Sequence, residues 1–438
     1  MNKGLNIYNL AKKLWPLNRS ISGDGLRKSL KILKIICPKI KIKEIPSGEK
    51  VFDWSVPDEW KINSAYIITP TGKKICDFKK NNLHVLNYSI GIKKKITLKQ
   101  LNKKLYSIPS LPKAIPYKTS YYNKDWGFCI SHDQKNKLKN GIYKINIDAQ
   151  HFKGSMSYGE MLIKGKSKKE ILLSTYICHP SMANNELSGP CVSVYLARWI
   201  QKLKKRKYSY RIVFLPETIG SIAYISKNLK RLKKNVVAGF NLTCLGDDRT
   251  YSYLPSKNGS TLSDNVAKYA LRLKYPKFKK YKWIDRGSDE RQYCSPGIDL
   301  PIATIMRTKY GEYKEYHTSM DNLTKVVKPK GLQGSYDLLK LVIETLEKNI
   351  YLKSNILCEP NLGKRGLYPK IGGITKLEKS YNKIKISRSI LDVLSYADGR
   401  HSLLDIMDKC NIDSTKINHI VKILKKNKLV TVLEFIDE

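Results

Sequence analysis

Three short blocks of the sequence place polar side chains at the ends of apolar runs that predict buried strands. His179 follows the first run directly, Glu217 follows the second after one proline, and His317 lies in a third block rich in polar and aromatic residues. The chain has only seven histidines, so two of them in such settings are informative. Imidazole and carboxylate groups bind catalytic zinc, and a separate carboxylate takes the proton of the zinc-bound water. These residue types therefore predict a zinc-dependent hydrolytic site.

Glu217 is the residue that we expect to act as the general base. It follows the apolar run 212–215 and Pro216, so its side chain should lie in a pocket at the end of a strand. Partial loss of solvent there raises the pKa of a carboxyl group towards a value useful for proton transfer. Two other roles stay open, because a carboxylate in this place can also bind the metal directly or cap the helix that follows.

The segments that carry these blocks alternate between predicted strands and predicted helices. Apolar runs predict strands at 170–178, 210–215, 235–242 and 300–306. Helical periodicity predicts helices at 191–202, 262–273 and 332–349. Such alternation predicts an α/β domain with a mostly parallel sheet and helices on both faces. Catalytic groups in such a sheet lie just past the carboxyl ends of the strands, and the predicted site has this position.

The remaining segments predict further units. Residues 1–48 show helical periodicity, and we interpret them as a helical lead-in to the α/β domain, which we assign to residues 151–355. Residues 49–150 change to short apolar runs separated by Pro, Gly and Asn turns, which predicts an inserted β-rich domain. Residues 376–438 predict three short helices followed by a pair of strands, which is the pattern of a winged helix.

The third predicted helix of that last unit, residues 414–425, carries Lys416, His419, Lys422 and Lys425 around an apolar stripe. A basic helix of this kind can enter a groove of DNA as a recognition helix. Winged helices also serve as interaction domains, and solvated lysines are common throughout this chain. The sequence therefore leaves both nucleic acid and protein open as partners of this unit.

The net charge of +45 has two interpretations. A charge of this size favours binding to nucleic acid or to an anionic surface. However, the excess is mostly Lys spread over the whole chain, together with abundant Ile, Asn and Tyr, which AT-rich codon usage produces whatever the function. We favour codon bias, because no single segment concentrates the charge.

The composition also indicates the compartment. No run approaches the roughly 18 apolar residues of a membrane span, and residues 1–17 lack the apolar stretch of a signal peptide. Nine cysteines are spread singly, without a C-x-x-C pair, and we interpret them as reduced core residues. We therefore expect a cytoplasmic protein with no membrane partner, and the sequence leaves its oligomeric state open.

The motifs resemble those of bacterial aminopeptidase-like proteins that are often linked to surface-polysaccharide loci. The blocks that carry the resemblance are H-P-S-M-A-N-N-E-L-S-G-P from His179, P-E-T-I-G-S from Pro216, G-S-D-E-R-Q-Y-C-S-P-G-I from Gly287 and E-Y-H-T-S-M-D from Glu315. The resemblance covers almost the whole chain. It implies a zinc-exopeptidase-type fold with an inserted β domain and a C-terminal winged helix.

A more distant resemblance, to the true zinc aminopeptidases, is partial. It places His179 and His317 at the first and last metal-ligand positions and Glu217 at the position of the general base. Three charged residues of that pattern are replaced here by neutral ones: Asn185, Thr218 and Thr243. A pair of zinc ions needs a bridging carboxylate and further anions, so the resemblance implies one zinc ion per chain.

The ligands that the resemblance implies are His179, His317 and one carboxylate, for which Glu186 is the first choice and Asp289 the second. The polar residues nearby that we expect to bind substrate are Asn185, Asp289, Glu290, Arg291 and Arg307. An arginine in such a place can hold a substrate carboxylate through two hydrogen bonds. For the cluster at residues 289–291, an internal network of salt bridges is an equally good interpretation.

Two functions from different classes follow. The first is a metal-dependent, aminopeptidase-like hydrolase of a peptide or aminoacyl amide bond, which the retained His179, Glu217 and His317 favour. The second is a catalytically degenerate exopeptidase scaffold that binds and recruits other molecules in a biosynthetic pathway. The neutral residues at metal-ligand positions favour this second function.

Overall fold

The computed structural model describes residues 3–368 and 381–436, and its contacts divide the chain into two compact units, Met1–Leu341 and Val342–Glu438. The helices, in chain order, are α1 (Lys3–Leu14), α2 (Asp24–Ile36), α3 (Leu98–Asn102), α4 (His132–Lys135), α5 (Ser188–Lys202), α6 (Ile219–Asn235), α7 (Leu262–Lys274), α8 (Glu290–Tyr293), α9 (Pro329–Lys348), α10 (Tyr381–Ser395), α11 (Leu403–Lys409) and α12 (Ser414–Lys426). The strands are β1 (Lys41–Pro46), β2 (Lys50–Val51), β3 (Trp54–Ser55), β4 (Glu59–Ile68), β5 (Lys74–Ile75), β6 (Ile92–Thr97), β7 (Leu105–Tyr106), β8 (Phe128–Cys129), β9 (Ile142–Phe152), β10 (Ser155–Ile163), β11 (Glu170–Tyr176), β12 (Ser209–Leu215), β13 (Val236–Leu242), β14 (Ser252–Leu254), β15 (Lys279–Lys280), β16 (Ile302–Met306), β17 (Tyr351–Ser354), β18 (Asp398–Ser402) and β19 (Val430–Leu433).

An eight-stranded sheet forms the centre of the first unit, in the order β1-β10-β12-β11-β13-β16-β14-β15. The central strands β12, β11, β13 and β16 run parallel, whereas β1 pairs antiparallel with β10, β10 with β12 and β14 with β16. Strands β11 and β12 are buried at every residue, as expected when both faces of a sheet are covered. Helices α5, α6 and α7 contact the central strands. The predicted α/β fold, with a large sheet and covering helices, is confirmed.

A second, four-stranded sheet of the first unit has the order β5-β4-β9-β6. Its long strand β9 alternates between buried Tyr143, Ile145 and Ile147 and more exposed neighbours, which is the pattern of a sheet with one face on a core. Strand β9 runs to Phe152, and β10 of the central sheet follows almost directly. The chain therefore passes from the smaller sheet into the central sheet near the predicted boundary between 49–150 and 151–355, and the boundaries themselves stay predictions.

In the second unit, β17 pairs antiparallel with both β18 and β19 to form a three-stranded sheet. The sequence predicts a strand pair within residues 428–435, but that segment forms the single strand β19, and its partner β17 comes from residues 351–354. Helix α12 begins at Asp413, whose side chain accepts hydrogen bonds from Thr415 N and Lys416 N, as an N-cap residue does. The predicted start of this domain at residue 376 lies outside the described residues.

The predictions made from composition concern the cysteines and membrane-spanning helices. The nine cysteines form no disulfide with one another, and seven of them are buried. Within the described part of the chain, no helix combines the length and the apolar character that a bilayer span requires.

Candidate metal and catalytic site

His179 lies just past the end of β11, in a loop that returns through one π-helical turn, Ala183–Leu187, into α5. This turn brings Glu186 to the imidazole, and Glu186 Oε2 lies 2.6 Å from His179 Nδ1. The backbone N–H of Cys178 donates to the other carboxylate oxygen of Glu186, and Arg19 Nε donates to the carbonyl of His179 at 3.1 Å. Because Nδ1 is held by a carboxylate, the ring presents Nε2 to the pocket, as metal-binding histidines do.

The electrostatics of His179 follow from these contacts. Burial alone would lower its pKa, but Cys178 and the Glu186 carboxylate beside it raise the pKa well above its ordinary value. The raised pKa favours a protonated ring, whose Nδ1–H donates to Glu186. Metal ions bind the neutral imidazole, so an ion at Nε2 would displace that nitrogen's proton.

Glu217 faces His179 from the end of β12, with its Oε2 atom 3.5 Å from His179 Nε2. Ser288 Oγ donates to the other oxygen, Oε1, at 2.7 Å. Burial raises the pKa of Glu217 above its ordinary value, although the charge of His179 lowers it. The next residue, Thr218, has a φ of 64°, a conformation that β-branched residues adopt only under constraint. A sharp turn therefore holds Glu217 where it can reach a group bound at Nε2.

His317 joins the site from the loop between β16 and α9. Its φ is 53°, and its carbonyl accepts a hydrogen bond from Tyr117 N at 2.9 Å. The ring is stacked on Tyr316 with a centroid distance of 3.9 Å, and its centroid lies 5.3 Å from that of His179. Burial and the positive charge of His179 lower the pKa of His317 to about 3. The ring is therefore neutral and can offer a lone pair to a metal or a proton donor.

Tyr117 is a site residue that the sequence analysis missed. Its ring makes edge contacts with both imidazoles, at centroid distances of 5.1 Å to His179 and 5.3 Å to His317. A β-bridge between Pro116 and Thr318 brings this segment, which lies in the predicted inserted domain, to the His317 loop. No local pattern around residue 117 predicts this contact, because it depends on two segments about 200 residues apart.

The side chains of Tyr176, Asn185 and Thr243 form a hydrogen-bond network without a charged member. Tyr176 donates its hydroxyl hydrogen to Asn185 Oδ1 at 2.8 Å, and its oxygen lies 2.6 Å from Thr243 Oγ1. Thr243 Oγ1 donates to the backbone carbonyl of Asn185 at 3.0 Å, and Asn185 Nδ2 lies 3.4 Å from His317 Nε2. These three side chains carry no negative charge, and the nearby carboxylate of Asp321 is bonded to the backbone N–H groups of Asn184 and Asn185.

Asp289 and Arg291 lie at the turn that follows Glu217. Asp289 Oδ1 accepts hydrogen bonds from Thr218 N and from Ser221 Oγ, both at 2.8 Å. Burial, followed by the charge of Glu217, raises the pKa of Asp289 to about 8. Arg291 is exposed and donates from Nη2 to Thr218 Oγ1 at 2.9 Å. Asp289 therefore supports the turn from inside, and Arg291 lies where a substrate can approach.

Glu290 and Arg307 have other surroundings. Glu290 is fully buried and accepts hydrogen bonds from Asn241 Nδ2 at 2.8 Å and from the Tyr310 hydroxyl at 2.7 Å. Two backbone N–H groups of its own loop donate to it as well. Arg307 places its guanidinium 3.7 Å from the ring centre of Tyr251, in a different cavity. Glu290 is therefore part of an internal hydrogen-bond network. Arg307 lines a cavity that neither His179 nor His317 lines.

Several side chains of the site carry atoms that can bind a metal ion. Among the described residues, the group of three possible ligands that lies within 4.8 Å is Cys178, His179 and Glu186. In that group Glu186 already bonds His179 Nδ1, and burial raises the pKa of the Cys178 thiol to about 12. Two further possible donors, Glu217 Oε2 and the neutral ring of His317, lie outside that group. The structure thus brings His179 and Glu186 together, but in a pairing that uses Nδ1.

Comparison with family models matches residues 8–349 to a domain of unknown function, DUF4910, and residues 349–432 to a winged helix-turn-helix. A curated relative from Clostridium acetobutylicum is 42% identical over 428 residues, which cover 98% of this chain and 96% of the relative. That relative is described as a polysaccharide biosynthesis protein with an aminopeptidase-like domain.

Two solved structures are also similar to this chain. A crystal structure described as a peptidase from Clostridium acetobutylicum is 40% identical, with a TM-score of 0.84 and coverage of 98% of this chain and 96% of that chain. The zinc aminopeptidase BSAP from Bacillus subtilis is 14% identical, with a TM-score of 0.57 and coverage of 78% of this chain and 94% of that chain. The second likeness shows the fold alone. Together with the family models, these matches confirm the predicted aminopeptidase-like fold and the C-terminal winged helix.

Proposed function

Since this chain belongs to the DUF4910 family and is related over nearly its whole length to a protein with an aminopeptidase-like domain, we propose that it is a metal-dependent hydrolase of a peptide or aminoacyl amide bond. The orientation of His179 is the observation that supports this proposal. Its Nδ1 atom is bonded to the buried Glu186, and its Nε2 atom faces Glu217 at 3.5 Å. An oriented imidazole beside a carboxylate is the arrangement that metal-assisted hydrolysis requires.

In this proposal His179 and His317 hold one zinc ion, and Glu217 is the general base. Zinc, when bound, would act as a Lewis acid on the amide carbonyl and would lower the pKa of a bound water molecule. Glu217 accepts the proton of the attacking water at Oε2 and delivers it to the leaving nitrogen of the amide. Its raised pKa favours this transfer. Ser288 holds the other oxygen, so that Oε2 stays directed towards His179.

Glu186 takes the role of a positioning residue in this proposal. It is fully buried and bonded to His179 Nδ1 and to the backbone of Cys178, so both of its oxygens are already in use. A carboxylate behind a metal-binding histidine fixes the tautomer and raises the basicity of the other nitrogen. This support differs from the direct metal bond that the sequence predicts for Glu186.

Metal content is the first prediction. Protein purified without added zinc should contain about one transition-metal ion per chain, because the pocket offers two imidazoles that can hold one ion. His179→Ala and His317→Ala should each lose this ion, and Glu186→Gln should weaken its binding roughly 10- to 100-fold. Elemental analysis of dialysed protein and titration with zinc measure both effects.

The matched control for these variants is His132→Ala, because His132 is a half-buried histidine that bonds Ser107 away from this site. Its metal content should equal that of the wild type. Two tightly bound ions per chain, or an ion that survives both His179→Ala and His317→Ala, would contradict the proposed site.

For the substrate, we propose that Arg291 and Asn185 make the contacts next to the reacting amide. Arg291 is exposed beside the Glu217 turn and can hold a carboxylate, and the Asn185 amide lies beside His317. We keep Asp289 as a support of the turn, because its Oδ1 atom bonds Thr218 and Ser221. Glu290 and Arg307 are not included, because their contacts lie elsewhere.

The alternative is a degenerate exopeptidase scaffold that binds its ligand without hydrolysing it. The neutral Asn185, Thr218 and Thr243 favour this alternative, since the resemblance to the zinc aminopeptidases places them where those enzymes have charged residues. Protein that contains no metal as purified, gains none on titration and is inert towards a broad panel of aminoacyl and peptide substrates would support the scaffold.

For the winged-helix unit, we propose non-specific contact with nucleic acid through the lysines of α12, of which Lys422 and Lys425 are exposed and Lys416 is partly exposed. Replacing Lys416, Lys422 and Lys425 by Gln should weaken duplex DNA binding. The slope of log K against log salt concentration should become smaller by about 0.9 for each phosphate that the variant no longer neutralises.

The matched control replaces Lys93, Lys94 and Lys95, three exposed residues on β6, and removes the same charge. We expect both triple variants to weaken binding equally, as measured by fluorescence anisotropy at several salt concentrations. A loss of sequence preference in the α12 variant alone would instead identify a true recognition helix.

We also propose the cytoplasm as the location of the protein. All nine cysteines are unpaired, and thiols persist in a reducing compartment. Cys358 is exposed and would be open to oxidation elsewhere.

A further inference from the structure

A second cavity lies in the first unit, between the end of α7, the segment before β14 and the first turns of α9. Its volume is about 1240 Å³, which exceeds the range of about 300–1,000 Å³ that is common for small-molecule sites. None of the residues proposed above for metal binding or proton transfer lines it. The cavity is therefore a candidate for a separate ligand.

The wall of this cavity contains a stack of three planar groups. The rings of Tyr251 and Tyr275 are stacked with a centroid distance of 3.6 Å, and the guanidinium of Arg307 lies 3.7 Å from the centre of Tyr251. Two groups this close to one ring must lie on its opposite faces. Tyr251 is therefore held between Arg307 and Tyr275, and the orientation of the guanidinium is fixed by this sandwich.

Two donors of this stack are buried without an acceptor. Arg307 is 6% exposed and Tyr251 is 5% exposed. In the described residues, neither Arg307 Nε nor the Tyr251 hydroxyl has a hydrogen-bond partner. A buried polar group without a partner costs stability, so such groups usually bind water, an ion or a ligand. Both residues belong to the wall of the cavity.

Gly334 leaves the space that this stack requires. A Cβ atom at this position would lie 2.3 Å from the Tyr251 hydroxyl and 3.3 Å from Arg307 Nη1. Any side chain there would displace the polar ends of the stack. The first turns of α9 thus approach the buried donors closely.

The charge of the cavity wall is strongly positive. Six basic residues line it, against two acidic ones, Asp248 and Asp337: Arg249, Lys274, Lys277, Arg307, Lys328 and Lys330. Arg249 is paired with Glu315, but Arg307 forms no ion pair with any described residue. The wall also includes the N-terminal turn of α9, whose dipole favours an anion. An anionic ligand would therefore complement the basic wall of the cavity.

We propose that this cavity binds a small molecule with a diphosphate group. The guanidinium of Arg307 has no carboxylate partner among the described residues, and the excess of four basic side chains in the wall favours a ligand with more than one negative charge. Phosphate oxygens suit both a planar guanidinium and lysines. The volume leaves room for a larger molecule attached to the diphosphate, and the Tyr275 ring lies in the same wall.

Isothermal titration calorimetry with pyrophosphate, UDP and uridine at about 0.15 M NaCl tests this proposal, since that salt concentration screens weak surface contacts. We expect pyrophosphate and UDP to bind with a stoichiometry of one, and uridine not to bind. Arg307→Gln should weaken both about 10- to 100-fold, the usual effect of one charged hydrogen bond. Equal affinities for the two probes would identify the diphosphate alone as the recognised group, and tighter binding of UDP would identify a nucleotide.

Two further variants make the result decisive. Lys274→Gln/Lys277→Gln removes two exposed charges of the rim and should weaken binding even if Arg307→Gln disturbs folding. Lys230→Gln removes one exposed charge of α6 outside the cavity and should change the affinity less than twofold. The proposal is wrong if neither phosphate probe binds, or if Lys230→Gln weakens binding as much as the rim variants do. Because the readout is binding and not hydrolysis, failure of the proposed hydrolytic function would not affect it.

Discussion

Glu217→Gln is expected to reduce amide hydrolysis about 10²- to 10⁴-fold, the usual contribution of a general base, while the metal content stays unchanged. The reason is geometric, because Glu217 Oε2 lies 3.5 Å from His179 Nε2 and the neutral amide cannot accept the proton. The variant retains the size of the side chain, and Ser288 can still donate to the remaining oxygen. We expect kcat to fall and KM to change little, as measured by steady-state kinetics with aminoacyl and peptide amides.

The matched control is Glu312→Gln, which changes an exposed carboxylate in the loop before His317 and should leave kcat within twofold of the wild type. A Glu217→Gln protein that loses its metal would make Glu217 a ligand. A Glu217→Gln protein with full activity and full metal content would exclude Glu217 as the base.

The fold is predictable where long apolar runs end at polar residues. The run 170–178 predicts β11, which is Glu170–Tyr176, and the run 210–215 predicts β12, which is Ser209–Leu215. Both strands are buried on both faces, so every residue carries the signal. Strand β17 has no such signal, because it has four residues with only Tyr351 and Leu352 buried. The sequence therefore does not predict the three-stranded sheet of the second unit.

The candidate site is predictable only in part, because its motifs fix which residues are present and not how they pair. Spacing places Glu186 near His179, but the π-helical turn Ala183–Leu187 decides that it bonds Nδ1. Tyr117 and Arg19 reach His179 from distant segments, through contacts that no local periodicity records. Side chains brought together across such distances depend on packing, which a single sequence does not reveal.

The central sheet contains a buried cluster of charged side chains around Arg211. Arg211 of β12 is 4% exposed and donates from Nε and Nη2 to the two oxygens of Glu170, at 2.6 and 2.7 Å. Its Nη1 atom donates to Glu160 at 2.6 Å. The hydroxyl of Tyr224 and the ammonium of Lys43 also bond Glu160. Arg211 therefore holds together two buried carboxylates on β10 and β11, the strands on either side of β12.

Arg211→Met should lower the free energy of unfolding at pH 7 by about 3–5 kcal/mol, because it leaves buried carboxylates without their shared partner. The control Arg231→Met removes a half-exposed arginine that also bonds Glu160, at 3.2 Å, and should cost less than about 1 kcal/mol. Adding Glu160→Gln and Glu170→Gln to Arg211→Met should recover much of the loss. Urea unfolding followed by circular dichroism measures these differences.

The cost of Arg211→Met should depend on pH. Burial alone would raise the pKa of Glu160, but hydrogen bonds from Lys43 and Tyr224 and the charge of Arg211 lower it to about 2, against an ordinary 4.5. Its stabilising contribution in the wild type is therefore complete above about pH 4.5 and is lost as the pH falls through 2. In Arg211→Met the same carboxylate loses a positive neighbour, its pKa rises, and protonation relieves the unpaired charge at a higher pH. The difference between wild type and variant should therefore be largest near pH 7 and smaller at pH 4. A difference that stays constant between these two pH values would show that the lost packing of Arg211, and not its charge, accounts for the destabilisation.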